Sequence, residues 1–252
     1  MLNQPTLDKM HAMRLGAMAD AFQHQLASSE FAALGFEERF GFLVEAEWST
    51  REQRKLSNRL RIAKLRYPAS LEDLDYAPSR NLDRQVVLSL ASSSWIREHL
   101  NLLVIGLTGV GKSYLACAFA ERACRSGFSA YYVRAPRLLR DLAIARGDGS
   151  YGRLLAKLAK IDCLAIDDWL IAPLTDPERR DLLEVVEDRY DRASTLIATQ
   201  LPTNAWHEAI GDPTLADAIC DRLIHRAHSI ELQGPSMREL LARKASSKGT
   251  KT

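Results

Sequence analysis

The stretch Gly106-Leu107-Thr108-Gly109-Val110-Gly111-Lys112-Ser113 matches the spacing G-x-x-x-x-G-K-[ST] at every fixed position. Each residue type has a task in holding a phosphate. Glycines let the backbone curl round an anion with its N–H groups turned inward, where a Cβ would obstruct the path. A helix starting at the lysine adds the positive end of its dipole. Lys112 is expected to reach the β- and γ-phosphates, and the Ser113 hydroxyl to ligate Mg²⁺. Thr108, Val110 and Tyr114 complete the expected nucleotide-contacting set with Gly106, Gly109 and Gly111. A match by chance is expected in roughly one chain in a hundred of this length. An apolar strand before the loop and a helix after it lower those odds further.

A second group follows about sixty residues later. Cys163-Leu-Ala-Ile166 reads as a buried strand ending in two carboxylates, Asp167 and Asp168. By itself this is as readily a strand meeting a polar loop. Beside a phosphate loop, Asp167 is placed to hold Mg²⁺ through its water shell, and Asp168 to orient or deprotonate the attacking water. Adjacent carboxylates repel, so a nearby cation helps keep both ionised. The strand Thr195–Thr199 ends at Gln200, the preferred polar sensor for a γ-phosphate, although an Ala-Thr-Gln turn capping a strand accounts for it nearly as well. Asp221-Arg222-Leu-Ile-His-Arg226 puts two arginines on one helix face, ordinarily a solvated edge. In an oligomeric ATPase such an arginine reaches the neighbour's γ-phosphate, with an effect of about 10³–10⁵ in rate. Arg222 is the first choice and Arg226 the second.

The elements that must position these residues fall into three stretches. Residues 8–66 carry apolar residues at helical spacing, among them Met10, Met13, Met18, Phe22, Phe40, Leu43 and Val44. They imply a helical domain over residues 1–68. Residues 69–100 read as a linker with turns at Tyr67-Pro-Ala and Tyr76-Ala-Pro-Ser and a helix over Leu82–Ala91. From residue 101 to 240, strands at Asn101–Ile105, Ser129–Val133, Cys163–Ile166, Thr195–Thr199 and Ser229–Leu232 alternate with helices. The helices are read at Lys112–Arg125, Leu138–Ala145, Tyr151–Lys160, Pro177–Asp191 and Leu215–Arg226. Continuous apolar strands of this kind predict an α/β fold with a five-stranded parallel sheet covered on both faces. A full strand and two helices separate the phosphate loop from the acidic pair, and no Asn-Lys-x-Asp motif is present. Both features point to ATPases rather than GTPases or small nucleotide kinases. Residues 241–252, with Arg243, Lys244, Lys248 and Lys251, read as a basic disordered tail.

Composition sets bounds. The 252 residues include 46% hydrophobic and 26% charged, as expected of a globular protein, and the net charge is only +2. Any basic surface must therefore be local. Cys117, Cys124, Cys163 and Cys220 sit in apolar surroundings without C-x-x-C spacing, which predicts reduced buried thiols rather than a metal site. No basic-then-apolar leader and no apolar run of about 18 residues is present, so a cytoplasmic protein without a membrane partner is expected.

With its phosphate loop, acidic pair, sensor strand and arginine helix in this order, the chain resembles the AAA+ ATPases. Further strings narrow the resemblance to IstB proteins, helper ATPases of insertion-sequence transposons and relatives of the DnaC helicase loader. They include Ala46-Glu-Trp48, Leu82-Asp-Arg84, Gly147-Asp-Gly-Ser-Tyr151, Asp167-Asp-Trp169, Ala172-Pro-Leu174, Gln200-Leu-Pro202, Gly211–Asp217 and Asp221-Arg-Leu223. The likeness spans roughly residues 8–240. It implies an all-helical N-terminal domain, an AAA+ core without a C-terminal lid, and ATP-dependent self-association on double-stranded DNA. It also implies recruitment or stimulation of a cognate transposase. A helicase loader, or an ATP-gated adaptor with negligible hydrolysis, are the alternatives. Two departures stand out: Leu170 occupies a position where the family often has glycine, and Arg226 one where a non-basic residue is expected.

DNA contact is expected from one basic helix. Arg51, Arg54, Lys55, Arg59, Arg61, Lys64 and Arg66 crowd it, with Glu52 as the acidic counterpart and Leu56, Leu60 and Ala63 as an apolar stripe. A solvated charged face is the commoner fate of such runs. The scarcity of acids nonetheless favours phosphate contact, which is sequence-independent and salt-sensitive. The turn Gly147–Tyr151, with Arg146 and Arg153, is a second candidate; a plain helix-to-helix turn explains it equally well.

Overall fold

The computed structural model describes residues 3–31, 33–237 and 239; the expected basic tail lies outside them. The chain forms two compact units, Met1–Asn58 and Arg59–Thr252. The division falls inside a helix rather than at residue 68, because that helix runs unbroken from Phe36 to Ala63.

The first unit holds α1 (Asn3–Ala12), α2 (Gly16–Ala27) and most of α3 (Phe36–Ala63). The chain leaves α1 through Arg14, whose positive φ of 60° ends the helix before Gly16. No side chain of its own caps α2. The Glu47 carboxylate of α3 does this instead, accepting from the Met18 amide at 3.1 Å. The Arg51 guanidinium on the same carboxylate, with the Met18 amide next, holds Glu47 below the usual carboxylate range. Gln25 of α2 donates to the Arg39 carbonyl at 2.9 Å, so buried polar bonds as well as Leu7, Ala19 and Leu43 join these helices.

The second unit opens with α4 (Arg84–Ala91), whose first turn is capped by Asp83, and α5 (Ser94–Arg97). The alternation then runs β1 (Asn101–Gly106), α6 (Lys112–Arg125), β2 (Ala130–Arg134), α7 (Ala135–Gly147), α8 (Tyr151–Ala159) and β3 (Cys163–Trp169). It continues with α9 (Asp176–Glu187), β4 (Ser194–Thr199), α10 (Trp206–Ile210), α11 (Pro213–Ile224) and β5 (Ala227–Leu232). All strand pairs are parallel, in the order β2-β3-β4-β1-β5. The expected five-stranded sheet is present, with β4 between β1 and β3. Helix α6 covers one face, while α7, α9 and α11 close a core on the other with Leu103, Ile166, Ile197, Leu142, Val185 and Ile219. All four cysteines are free and buried. Burial pushes the Cys124 thiol up to about 11 and the Cys163 thiol up to about 12.

Three local readings change. The third strand continues to Trp169 across an irregularity after Ile166, so the acidic pair belongs to it rather than following it. Helix α9 stops at Glu187, and Arg189 behind it is buried, donating to the carbonyls of Leu158, Ile161 and Ser194. Helix α10 is short and packs Trp206 on Trp169 with ring centroids 5.8 Å apart; five residues are too few to show a period.

Candidate nucleotide site

In a parallel sheet the loops leaving the carboxyl ends of the strands gather at one edge, where ligands bind. Here those ends bring Gly106, Asp167, Asp168 and Thr199 together. Between β1 and α6 the loop turns through Gly109 and Gly111, at φ of 87° and 104°. In this region an L side chain is disfavoured by roughly 1–2 kcal/mol. Gly111 is the N-cap of α6, so the first turn of that helix, with its orphan N–H groups, begins at Lys112. Lys112 is buried to 9% exposure, and its ammonium donates to the Leu107 carbonyl at 2.8 Å, folded back over the loop.

Two clefts flank this lysine. The smaller, about 130 Å³, is lined by Lys112, Asp168, Trp169, Leu170, Thr199 and Gln200. The larger, about 420 Å³, is lined by Tyr67, Leu74, Asp75, Arg80, Ser113, Tyr114 and Met237 with Gly109 and Gly111. Its size is that of a small-ligand pocket, and it adjoins the phosphate loop. Tyr67, Arg80 and Met237 have no motif to announce them in the sequence; the turns at Tyr67-Pro-Ala and Tyr76-Ala-Pro-Ser are local signals that give no side-chain direction.

The structure places the expected residues as follows. Asp167 is 1% exposed and accepts from the Tyr132 hydroxyl at 2.5 Å and from the Asp168 amide at 2.9 Å. Burial, then the bond to Asp167, pushes the Tyr132 phenol up, so it stays a donor. Arg66 bonds that same hydroxyl, which raises the arginine's own pKa. Arg66, itself exposed, thus reaches from the surface to the buried pair of Tyr132 and Asp167. Asp168 sits at φ 55° and pairs with Arg134 at the end of β2. Thr108 donates to Gln200 Oε1 at 2.7 Å, tying the sensor candidate to the phosphate loop. Thr199 is turned inward and donates to the Trp169 carbonyl at 3.0 Å. Leu170 adopts φ 52° while only 6% exposed, in the conformation for which glycine is the ordinary choice.

Arg222 is not part of this edge. Its carbonyl accepts from the Asn101 side chain, at the first residue of β1, whereas the loop leaves from the last. Six residues of strand separate them, roughly 17 Å at the usual rise. Its guanidinium pairs with Glu187 and donates to the Ala218 carbonyl at 2.9 Å. Arg226 pairs with Asp191 at the same end.

The basic helix is more paired than its sequence suggests. Arg51 bonds Glu47 at 2.7 Å and the Arg14 carbonyl at 3.0 Å, so its guanidinium is committed within the first unit. Lys55 pairs with Glu52 at 2.7 Å, and Lys64 lies over the Tyr131 ring at 5.8 Å. Arg54 and Arg61 are exposed and seven residues apart, on one helix face, while Arg59 is half-buried. In the Gly147–Tyr151 turn, Arg146 and the Tyr151 hydroxyl both bond Asp181 of α9, the hydroxyl at 2.9 Å, which favours the structural explanation of that turn.

A positive-φ phosphate loop at the end of β1, an acidic β3 and β4 between them define a phosphate-loop ATP-binding protein of the AAA+ class. The family profile described as IstB-like ATP binding protein matches residues 8–246, and the chain belongs to that family. It is 51% identical to a Sinorhizobium fredii protein described as insertion sequence ATP-binding protein y4pL, over 97% of this chain and all of that one. It is 47% identical to the ATP-binding protein of insertion sequence IS1162 from Pseudomonas fluorescens, over 81% of this chain and 89% of that one. Among solved structures the fold is similar to the DnaC helicase loader, with TM-score 0.55, 19% identity, and 68% and 100% of the two chains covered. It is also similar to AMPPCP-bound DnaA from Aquifex aeolicus, with TM-score 0.56, 14% identity, and 73% and 56% covered. Among the described residues no helix is long and apolar enough to cross a membrane.

Proposed function

We propose that this chain is an ATP-hydrolysing helper of transposition, which assembles with ATP and Mg²⁺ on duplex DNA and recruits or stimulates a cognate transposase. The observation that carries the hydrolytic part is the smaller cleft, where Lys112, Asp168 and Gln200 face one space beside the phosphate loop. Lys112 exchanges the Leu107 carbonyl for phosphate oxygens and neutralises their charge. Gln200, held by Thr108, orients a polar group or water at the far end of the phosphates. Asp168 accepts a proton from the attacking water once Arg134 releases it. Ser113 and Asp167 fit Mg²⁺, since both offer the hard oxygen donors it prefers and Asp167 is fixed by two hydrogen bonds. The metal supplies charge neutralisation on the phosphate oxygens.

The position of Arg222, a strand length from its own loop, suits a finger that serves a neighbouring subunit. Duplex binding rests on the exposed cations Arg54 and Arg61, with Lys55, Arg59, Lys64 and Arg51 as further contacts. The names of the relatives, insertion-sequence ATP-binding proteins, support the transposition setting. Sedimentation with random-sequence duplex under ATP, ADP and no nucleotide, at two salt concentrations, tests the reading. A large complex that requires ATP, weakens with salt and is lost in Lys112→Ala is expected. Capture of single strands or of a helicase, with no duplex assembly, would turn the reading to a helicase loader.

A further inference from the structure

Where the glycines of the phosphate loop lack a Cβ, neighbouring segments fill the space. A Cβ on Gly111 would stand 2.9 Å from Arg80 Nη2, one on Gly109 would stand 2.5 Å from Ser236 Oγ, and one on Gly106 would stand 2.4 Å from the Leu232 carbonyl oxygen. The loop is therefore clasped from outside by the turn before α4 and by the segment that follows β5.

Arg80 is the centre of that clasp. It is 6% exposed, donates from Nη2 to the Val110 carbonyl at 2.9 Å, and donates from Nη1 to the Asp75 carbonyl at 2.7 Å. Its own carbonyl accepts from Gln233 at 3.0 Å, and next to it Asn81, at φ 50°, donates from its side chain to the Glu231 carbonyl. Two residues beyond Gly234, Ser236 fills the space at Gly109, and the Met237 amide donates to the Gly109 carbonyl at 2.9 Å. Arg80 Nε is buried without a hydrogen-bond partner among the described residues. Burying a guanidinium against two carbonyls with one N–H unmatched is costly, so packing alone is a poor reason for an arginine here. What arginine supplies is a rigid fork that spans two carbonyls while its permanent charge lies beneath an anion-binding loop.

We propose that Arg80 is a positioning residue for the nucleotide, holding Val110 so that the loop is preset to receive phosphates, and linking nucleotide binding to docking of Gln233–Met237 on the loop. This rests on the ATP-binding reading and adds to it a residue and a coupling. A preset loop lowers the ordering cost of binding, so the effect belongs to affinity, for ATP and ADP alike, and not to the chemical step.

The test uses the full chain, with fluorescent ATP and ADP titrations and steady-state hydrolysis for wild type, Arg80→Ala and Arg80→Lys. Arg80→Ala is expected to weaken both nucleotides by about tenfold or more with kcat at saturating ATP within about threefold, and Arg80→Lys to recover part of the loss. A folded Arg80→Ala with unchanged affinities, or a loss confined to kcat, overturns the proposal. A second readout needs no variant: exchange of the Met237 amide should slow when wild type is saturated with ATP, and an unchanged rate counts against the linkage. Wild type that binds no nucleotide removes the ATP reading itself and this proposal with it, whereas wild-type binding with an indifferent Arg80 removes only this proposal.

Discussion

At the scale of single residues, the site keeps its carboxylates under control by pairing each with something specific. Asp167 has a tyrosine hydroxyl and a backbone amide; Asp168 has Arg134. An ion pair occupies the oxygen that a water would use. Replacing Arg134 with alanine is therefore expected to raise DNA-independent ATP hydrolysis severalfold, measured as phosphate release at saturating ATP. A fall in that rate would show instead that Arg134 helps the reaction. Leu170 offers a test of strain. Its positive φ costs roughly 1–2 kcal/mol, against the roughly 2 kcal/mol gained from burying the side chain. Leu170→Gly should therefore destabilise the protein by no more than about 1–2 kcal/mol in urea unfolding, less than the 2–5 usual for truncating a core leucine. A larger loss would mean that the φ penalty has been relieved by the surroundings.

At the scale of elements, patterning was legible where an element is long or its ends are marked. Lys112–Arg125 is the helix α6 to the residue, because a positive-φ glycine starts it and Ser126-Gly127 ends it. Strands β1 to β4 were legible as apolar runs, since a parallel sheet buries both faces, whereas the edge strand β5 is half exposed and was marked by Ile230 and Leu232. What the sequence hid depends on distant partners. Neither Arg80 nor Tyr132 carries a motif, yet folding sets one against Val110 and the other against Asp167. The basic helix shows the same limit: its run of cations was plain, but Arg51's commitment to Glu47 and to Arg14 was not. Glu47 also carries a pH dependence. Its pKa lies lower in the folded chain than in the unfolded one, so its stabilisation is present above the unfolded value, near 4.5, and lost as pH falls through the folded one. Protection of the Met18 amide against exchange should thus fall in wild type as pH drops below the unfolded value near 4.5, and be weaker and nearly flat with pH in Glu47→Gln. Equal protection in the two proteins would show that the α2 cap is held by packing alone.

At the scale of the whole second unit, the sheet puts the phosphate loop at one end of β1 and Arg222 at the other. That the strands run parallel could be read from the alternation of elements; their order, and which end receives which residue, needed the structure. Mixing Lys112→Ala with Arg222→Ala subunits tests whether one subunit's arginine serves another's loop. Hydrolysis should reappear in the mixture when neither variant alone has any, and silence at every ratio would exclude a shared site. If Arg222 serves a neighbour's loop, the separation of donor and acceptor has a further consequence. A molecule with its socket at one pole and its plug at the other can join copies of itself only head to tail. In an open row the last socket stays empty and the first plug idle, so a row of n subunits has n − 1 completed sites, and short rows turn over less ATP per subunit than long ones. Closing the row into a ring abolishes both loose ends, and the rate per subunit then ceases to depend on protein concentration once rings have formed.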